Sequence, residues 1–518
     1  LTIIILVYVV AGVWLAIYGL NALVLAVLYL LHRRAPTRFV ASKVQDYPDV
    51  TVQLPIYNER HVVERLVDAV AGLSWPEKRL HIQVLDDSTD DTTVLARTCV
   101  ERHRRRGLDI RLCHRGDRVG YKAGALASGL SHTRSEFIAI FDADFVPPAD
   151  FLRRTVPLIY DRPHVGFLQT RWAHLNADFS PLTRAQSLAL DGHFVVEQTG
   201  RNRSSLFMNF NGTAGIWRRA CIQDSGGWSG DTISEDLDLS YRAQLAGWDA
   251  LYLPDVSAPA EIPPQLTAFK QQQYRWAKGS IQCLRKLGHA ILTGYKHPGA
   301  PSRPTRRLTP FQKVGAIVHL SSYLAHPLML ILLLCALPLF LSPRGAHLPM
   351  AMAYLGISSL GPPLVYAIAQ RTLYDDWRRR LLYFPILALL GTGIALSNTR
   401  AVIQALRGSE GPFIRTPKFH LEGRGGRWND SPYRLPLDWG ILGEALLALY
   451  ALVTVVAAWH AGNLYAIPFM LLYVGGFGLM AFLGLWQARG RRQKVRSRPE
   501  SWVQPSRTQG GDQAVEIS

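Results

Sequence analysis

Phe137-Ile138-Ala139-Ile140-Phe141-Asp142-Ala143-Asp144 runs five apolar residues straight into two carboxylates one residue apart. An unbroken apolar run of this length, closed by a polar turn, reads as a strand buried on both faces. The same pattern occurs upstream. Val50-Thr51-Val52-Gln53-Leu54-Pro55 is followed by Tyr57-Asn58-Glu59, and Ile82-Gln83-Val84-Leu85 by Asp86-Asp87-Ser88. Between these runs, residues 59–72 and about 89–106 follow a helical period. Strand–helix alternation predicts an α/β fold, a parallel sheet with helices on both faces. Ligands of such sheets sit beyond the carboxyl ends of the strands. Tyr57, Glu59, Asp87, Asp142 and Asp144 all fall there.

Each polar cluster admits two readings at this level. Asp142 and Asp144 can converge on one hard cation, Mg²⁺ or Mn²⁺, that also meets substrate phosphates, or they can form a turn that caps the next helix. Gly120-Tyr121-Lys122-Ala123-Gly124 places glycines and Lys122 at a helix start, which suits phosphate and suits an ordinary loop equally. Ser234-Glu235-Asp236 offers a general base, or an N-cap with an acidic first turn for a helix over 237–246. In Gln272-Gln273-Tyr274-Arg275-Trp276, Arg275 can pair with phosphate and Trp276 can stack on a sugar, or Trp276 can rest at a membrane interface.

The formal charge of +18 raises nucleic acid as a partner. The basic residues gather instead beside apolar segments, at Arg33-Arg34, Arg378 to Arg380, and Arg491, Arg492 and Lys494. No basic stripe interleaved with aromatics is present, so nucleic acid is not expected. Five cysteines lack metal-ligand spacing and read as reduced thiols. Residues 1–31 carry no charge and suffice to span a bilayer, and they are too long and too weakly cued for a cleavable signal peptide. The chain begins without Met, so the native start is expected upstream.

In order, Asp87, Asp142-x-Asp144, Ser234-Glu235-Asp236 and Gln272-x-x-Arg275-Trp276 resemble the signature of inverting family 2 glycosyltransferases with a GT-A fold, in the form typical of processive polysaccharide synthases. Gly72-Leu73-Ser74-Trp75-Pro76, the stretch Ile82 to Asp90, Gly120 to Leu126, and Phe210-Asn211-Gly212-Thr213-Ala214-Gly215 are similar to the plant cellulose-synthase-like glucomannan synthases and their xyloglucan-backbone relatives. The resemblance implies that Tyr57, Glu59 and Asp87 bind the nucleoside and that Lys122 lies near the donor. It implies that Asp142 and Asp144 hold ribose and metal, and that Asp236 is the base. Arg275 would meet the diphosphate, Trp276 would stack on the acceptor, and Asn211, Gly212 and Thr213 would line the acceptor site. Ser234 stands where the family has Thr. Phe413-Ile414-Arg415-Thr416-Pro417-Lys418 resembles the family's gating loop, in which Phe413, Thr416 and Lys418 would contact the donor; Arg415 replaces a Val there. A basic juxtamembrane linker is the other reading of that stretch.

The resulting expectation is a GT-A domain over 33–310, set between a membrane helix at 1–32 and a channel region at 311–487, with a gating loop at 411–420 and a basic tail at 488–518. The expected activity is processive transfer of a hexose from UDP-glucose or GDP-mannose to a growing β-linked, β-1,4, polysaccharide. A membrane enzyme that glucosylates a lipid is the alternative. A non-enzymatic nucleotide-sugar sensor is disfavoured, because binding alone needs no base at Asp236. Six apolar segments are visible, at about 2–31, 314–341, 350–370, 382–400, 439–459 and 464–487. The positive-inside rule and a cytosolic gating loop predict five spans in the cell membrane, an outward N-terminus, and an interfacial or re-entrant helix over 382–406.

Overall fold

The computed structural model describes residues 1–33, 46–294, 307–343, 353–408, 414–429 and 431–495. Its sheet has seven strands, β1 (Val50–Ile56), β2 (Leu80–Asp86), β3 (Asp109–His114), β4 (Phe137–Ile140), β5 (Val165–His174), β6 (Gly215–Arg218) and β7 (Asp249–Ala260), in the order β3-β2-β1-β4-β6-β5-β7. The apolar run that opens the sequence reading is β4. Its alternate residues divide between two cores. Phe137 and Ala139 join the layer under the helices Val63–Ala71, Thr92–Arg104 and Phe151–Tyr160, while Ile138 and Ile140 join the layer under Tyr121–Ser131 and Glu235–Leu245. Helices on both faces explain why β4 is wholly apolar, and why the polar residues of β1 and β2 that lie in these layers, Gln53 and Gln83, are buried and hydrogen-bonded to each other at 3.0 Å.

The three strands expected to be parallel, β1, β2 and β4, are so, and one further strand departs from them. β1, β2, β3 and β4 are parallel, as are β5 and β7, but β6 runs antiparallel to both β4 and β5. The cause is the direction of approach. The chain reaches β6 through Asn211-Gly212-Thr213, at the end of the sheet where β4 finishes, so Gly215 pairs with Ile140 and the strand runs back. Register then gathers the polar clusters. Ile56 lies opposite Asp86 and Gln53 opposite Ile140, so Tyr57, Asp87 and Asp142 emerge along one edge.

Among the described residues, four helices are long and apolar enough to cross a bilayer: Thr2–His32, Pro310–Phe340, Gly440–His460 and Ile467–Ala488. The 350–370 segment is not one of them. From residue 353 it is a 3₁₀ stretch, Ala353–Leu360, followed by a 13-residue helix, Gly361–Leu373, because Pro362 and Pro363 lack the N–H groups that would continue one helix through. The segment expected to lie flat or turn back is a bent pair, Trp377–Gly393 and Ala395–Arg407, at 42°. Of the tail at 488–518, residues 496–518 lie outside the described residues.

Gly361 packs directly on the first helix. A Cβ at Gly361 would stand 2.3 Å from the carbonyl oxygen of Gly19. Farther along, the Tyr29 hydroxyl meets Thr372 Oγ1 at 3.2 Å. Small residues at such a crossing let two backbones touch, which is the main source of helix affinity in lipid. Gly361→Val is therefore expected to force these helices apart and to lower stability by roughly 1–3 kcal/mol, read as a lower midpoint of thermal unfolding in detergent; an unchanged midpoint would show that the crossing is not tight.

Candidate active site

At the first strand ends, Asp86 and Asp87 divide their work. Asp86 is turned into the protein and accepts from the Ser88 N–H at 2.9 Å and the Thr93 hydroxyl at 2.6 Å, with His114 Nδ1 at 2.9 Å. Asp87 faces the cleft and holds Arg115 in a two-pronged pair of 2.7 and 2.5 Å. The Arg118 guanidinium lies 3.3 Å from the centre of the Tyr57 ring, a cation–π contact at the cleft mouth.

Behind them stands Lys122, in the first turn of the Tyr121–Ser131 helix. Its Nζ donates to Asp142 at 2.6 Å and to the Gly212 carbonyl at 2.9 Å, with Glu235 at 3.7 Å. Burial works to lower its pKa, but the carboxylates of Asp142 and Glu235 outweigh it and hold Lys122 above its ordinary value. The Asp142 N–H donates to Thr213 Oγ1 at 2.9 Å. Gly212 has φ +81°, and a Cβ there would sit 2.9 Å from Asp236 Oδ2, so a bulkier residue would strike the candidate base.

Asp236 lies in the first turn of the Glu235–Leu245 helix, where its Oδ1 accepts the N–H of Leu237 at 2.8 Å. Burial and the neighbouring Glu235 carboxylate push Asp236 up to about 7, with Lys122 opposing. A carboxylate poised near neutrality suits proton abstraction. The Leu266–Thr293 helix presents Arg275 and Trp276 to the same cavity. Burial lowers Arg275 to about 10, against Glu235, Asp142 and Glu59.

Residues 414–429 cross the cleft as a lid. Lys418 Nζ bonds Asp144 at 2.6 Å, Arg275 Nη2 donates to Thr416 Oγ1 at 2.7 Å, and Arg415 pairs with Glu59 at 3.0 Å. Arg415 also donates to the Asn58 carbonyl. Glu59 is pushed up to about 7 by burial, which Arg415 and Lys418 oppose. Glu261 anchors the lid by accepting the N–H groups of Phe419 at 2.8 Å and Leu421 at 3.1 Å. Phe413, expected to stack on the base, lies outside the described residues.

These groups line a cavity of about 640 Å³. It begins at Tyr57, Asp87, Asp142 and Asp144, passes Asp236 and Trp276, and ends among Tyr323, His326, Tyr366 and Leu387 of the apolar helices. Asn211 and Gly212 line it; Thr213 does not, being fully buried with its hydroxyl under Asp142. No group of three or more His, Cys, Asp or Glu that could hold a metal occurs among the described residues. The carboxylates of Asp142 and Asp144, each now facing an ammonium, make a hard oxygen pair that fits a divalent cation completing its shell on phosphate.

Arg115, Arg118, Arg415 and Glu261 are the site residues that the sequence reading did not assign. Arg115 follows from the register: β3 pairs His114 with Asp86, so the residue after the strand falls beside Asp87. Arg415 stood out only as a departure from a family pattern, and its partner Glu59 explains it.

Residues 48–279 match the glycosyltransferase-like family 2. The chain is 46% identical over 255 residues to glucomannan 4-beta-mannosyltransferase 2 of Arabidopsis thaliana, covering 48% of this chain and 48% of that protein. It is 42% identical over 288 residues to glucomannan 4-beta-mannosyltransferase 1 of Oryza sativa subsp. japonica, covering 53% and 55%. The chain thus spans about half the length of the curated relatives it matches. Among solved structures, a mannosyltransferase from Pyrobaculum calidifontis in complex with GDP-Man and Mn²⁺ superposes with a TM-score of 0.50 at 22% identity, over 78% of this chain and 100% of that one. The fold is therefore of the GT-A type.

Glu261→Ala removes both anchors of the lid. Amide hydrogen exchange at residues 416–422 is expected to rise, and the KM for donor to rise by roughly tenfold or more, because losing even one bond to a charged acceptor costs about 1.5–3 kcal/mol. Unchanged exchange would show that Glu261 does not hold the lid.

Proposed function

Because residues 48–279 match the glycosyltransferase-like family 2, we propose that the chain is a processive membrane hexosyltransferase that extends a β-1,4-linked polysaccharide, with GDP-mannose as donor. One observation carries this reading. The cavity does not end at the candidate base but continues between the apolar helices, as a path for a polymer must. The names of the curated relatives and the GDP-Man ligand of the solved mannosyltransferase favour mannose over the UDP-glucose alternative. A lipid-glucosylating enzyme needs no such extended path.

The chemistry follows from the residues. Tyr57, Glu59 and Asp87 face the nucleoside. Asp142 and Asp144 would hold Mg²⁺ or Mn²⁺, which when bound offsets charge on the leaving diphosphate. Arg275, Thr416 and Lys418 point at the same diphosphate, and Trp276 gives the terminal acceptor sugar a flat apolar face. Asp236 takes the proton of the acceptor hydroxyl as that oxygen attacks the anomeric carbon opposite the departing diphosphate, which inverts the centre. Lys122 and Gly212 keep Asp236 and Asp142 in register.

The membrane reading rests on parity. The lid touches the catalytic cleft, so residues 414–429 lie on the same side as Asp144. Pro310–Phe340 runs opposite to the first helix, since Ser321 accepts from Tyr18 while Leu330 and Leu333 cluster with Tyr8. One more crossing must then fall between 341 and 414. The 353–373 segment supplies it. It runs alongside the first helix in the same direction, from Gly19 at Gly361 to Tyr29 at Thr372. This gives five crossings of the cell membrane, a cytosolic catalytic domain, and a bent pair at 377–407 along the inner interface.

Asp236→Asn is expected to lower transfer by roughly 10²–10⁴-fold while nucleotide binding survives; turnover within a few-fold of the unsubstituted protein would remove Asp236 as base. A base must be deprotonated to act, and Asp236 is raised to about 7. The rate should therefore fall as pH drops from 8 to 6, and a flat profile would contradict this. EDTA should stop transfer, with recovery on Mg²⁺ or Mn²⁺, and a donor panel should show GDP-mannose preferred and a product of polymer length. A single cysteine at position 424 should resist an impermeant reagent added outside intact cells; labelling there would sink the five-crossing arrangement.

A further inference from the structure

Beyond Asp236 and Trp276, the cavity wall contains a polar relay that the chemistry above does not use. Between the helices Pro181–Asp191 and Gln198–Arg203, residues Gly192–Glu197 wind as one wide π-helical turn. Such insertions carry a cost and tend to persist where they aim a side chain. This one brings His193 and Glu197 to the cavity together. Its other side, Val195 and Val196, packs on Val365 and Ala369 of the Gly361–Leu373 helix and on Ala26 of the first helix.

The proton positions of the relay follow from one backbone carbonyl. Gln198 Nε2 donates to the Asn209 carbonyl at 2.9 Å, which fixes the Gln198 amide. The same Nε2 reaches Asn211 at 2.7 Å, so that atom of Asn211 is Oδ1. Asn211 Nδ2 then donates to His193 Nε2 at 3.1 Å. His193 Nδ1 must carry the proton and donate it to Glu197 Oε2 at 3.0 Å. Both ring nitrogens are thus committed. Burial tends to raise the Glu197 pKa, but the His193 bond and Arg201 prevail and hold it below the ordinary value. Glu197 therefore faces the cavity as an ionised carboxylate with its other oxygen outside this relay. Nearby, Trp172 Nε1 and Asn209 Oδ1, both buried, have no partner among the described residues, and both side chains line the same cavity.

We propose that this turn builds a subsite for the second sugar from the growing end of the acceptor, with Glu197 accepting its hydroxyl hydrogens and His193 acting as the positioning residue that orients Glu197. The inference rests on the polysaccharide reading and extends it. The placement follows the relay outward. Gly212 abuts Asp236, where the terminal sugar reacts; Asn211 precedes Gly212; and His193 and Glu197 lie one and two hydrogen bonds farther, toward Tyr323 and Tyr366. Neutral sugars offer hydroxyl donors, so a fixed carboxylate is the complementary group. Trp172 and Asn209 supply the matching donor and acceptor.

The test is steady-state transfer by the full chain to mannose, β-1,4-mannobiose and β-1,4-mannotriose, with nucleotide binding measured in parallel to establish folding. Glu197→Gln should raise the KM for mannobiose and mannotriose about tenfold, while the KM for mannose moves by no more than about twofold. His193→Phe should reproduce that split, and it is read in place of Glu197→Gln should the latter fail to bind nucleotide. An unchanged KM for mannobiose, or an equal rise for mannose and mannobiose, overturns the subsite while leaving the polysaccharide reading in place. Failure of the unsubstituted protein to extend any of the three, with transfer to a lipid instead, overturns the parent reading and the subsite with it.

Discussion

The ammonium of Lys122 is where three separate parts of the chain meet: the end of β4 through Asp142, the Gly212 carbonyl of the loop before β6, and Glu235 at the head of the helix that carries Asp236. Carboxylates crowded into a buried cleft repel one another and lose hydration. Lys122 offsets both effects at one point. Without it, Asp142, Glu235 and Asp236 would have to spread apart or take up protons. The geometry of the site is thus a solution to a charge problem, and the left-handed turn at Gly212 is what lets the backbone come close enough to share it.

What could be read in advance follows the same physics. β1, β2 and β4 are buried on both faces, so their composition gives them away, and the polar residues at their ends were found with them. β3 escaped notice because Asp109-Ile110-Arg111-Leu112-Cys113-His114 is an edge strand with alternating polarity and an Arg in its middle. Arg115 went unseen with it. β6 has only four residues, and nothing in Gly215-Ile216-Trp217-Arg218 declares its direction. The resemblance implies Thr213 in the acceptor wall with Asn211 and Gly212; the turn at Gly212 rotates it inward, under Asp142. The partners of Glu59 and Asp144 come from a lid more than two hundred residues away, a pairing that no local pattern encodes.

The sheet domain and the apolar helices are joined by charge as well as by packing. Lys270, two residues before Gln272 on the helix that carries Arg275 and Trp276, donates to Asp438 at 2.8 Å and to Glu444 at 2.5 Å. Glu444 belongs to an apolar helix, where an ionisable group is tolerated only with a partner. Removing one member would strand the other, so this contact fixes the register of the Leu266–Thr293 helix against the apolar helices. The proposed acceptor platform is thereby tied to the helices between which the product is proposed to leave.

The lid also carries part of the positive charge of the cleft. It brings Arg415 and Lys418 beside Glu59 and Asp144, while Arg115, Arg118, Lys122 and Arg275 belong to the domain beneath it. On the proposed reading, a spent nucleoside diphosphate would lose two of the cations that face it when the lid is raised. Uncovering the exit and loosening the by-product would then be one event, with a rate that depends on ionic strength.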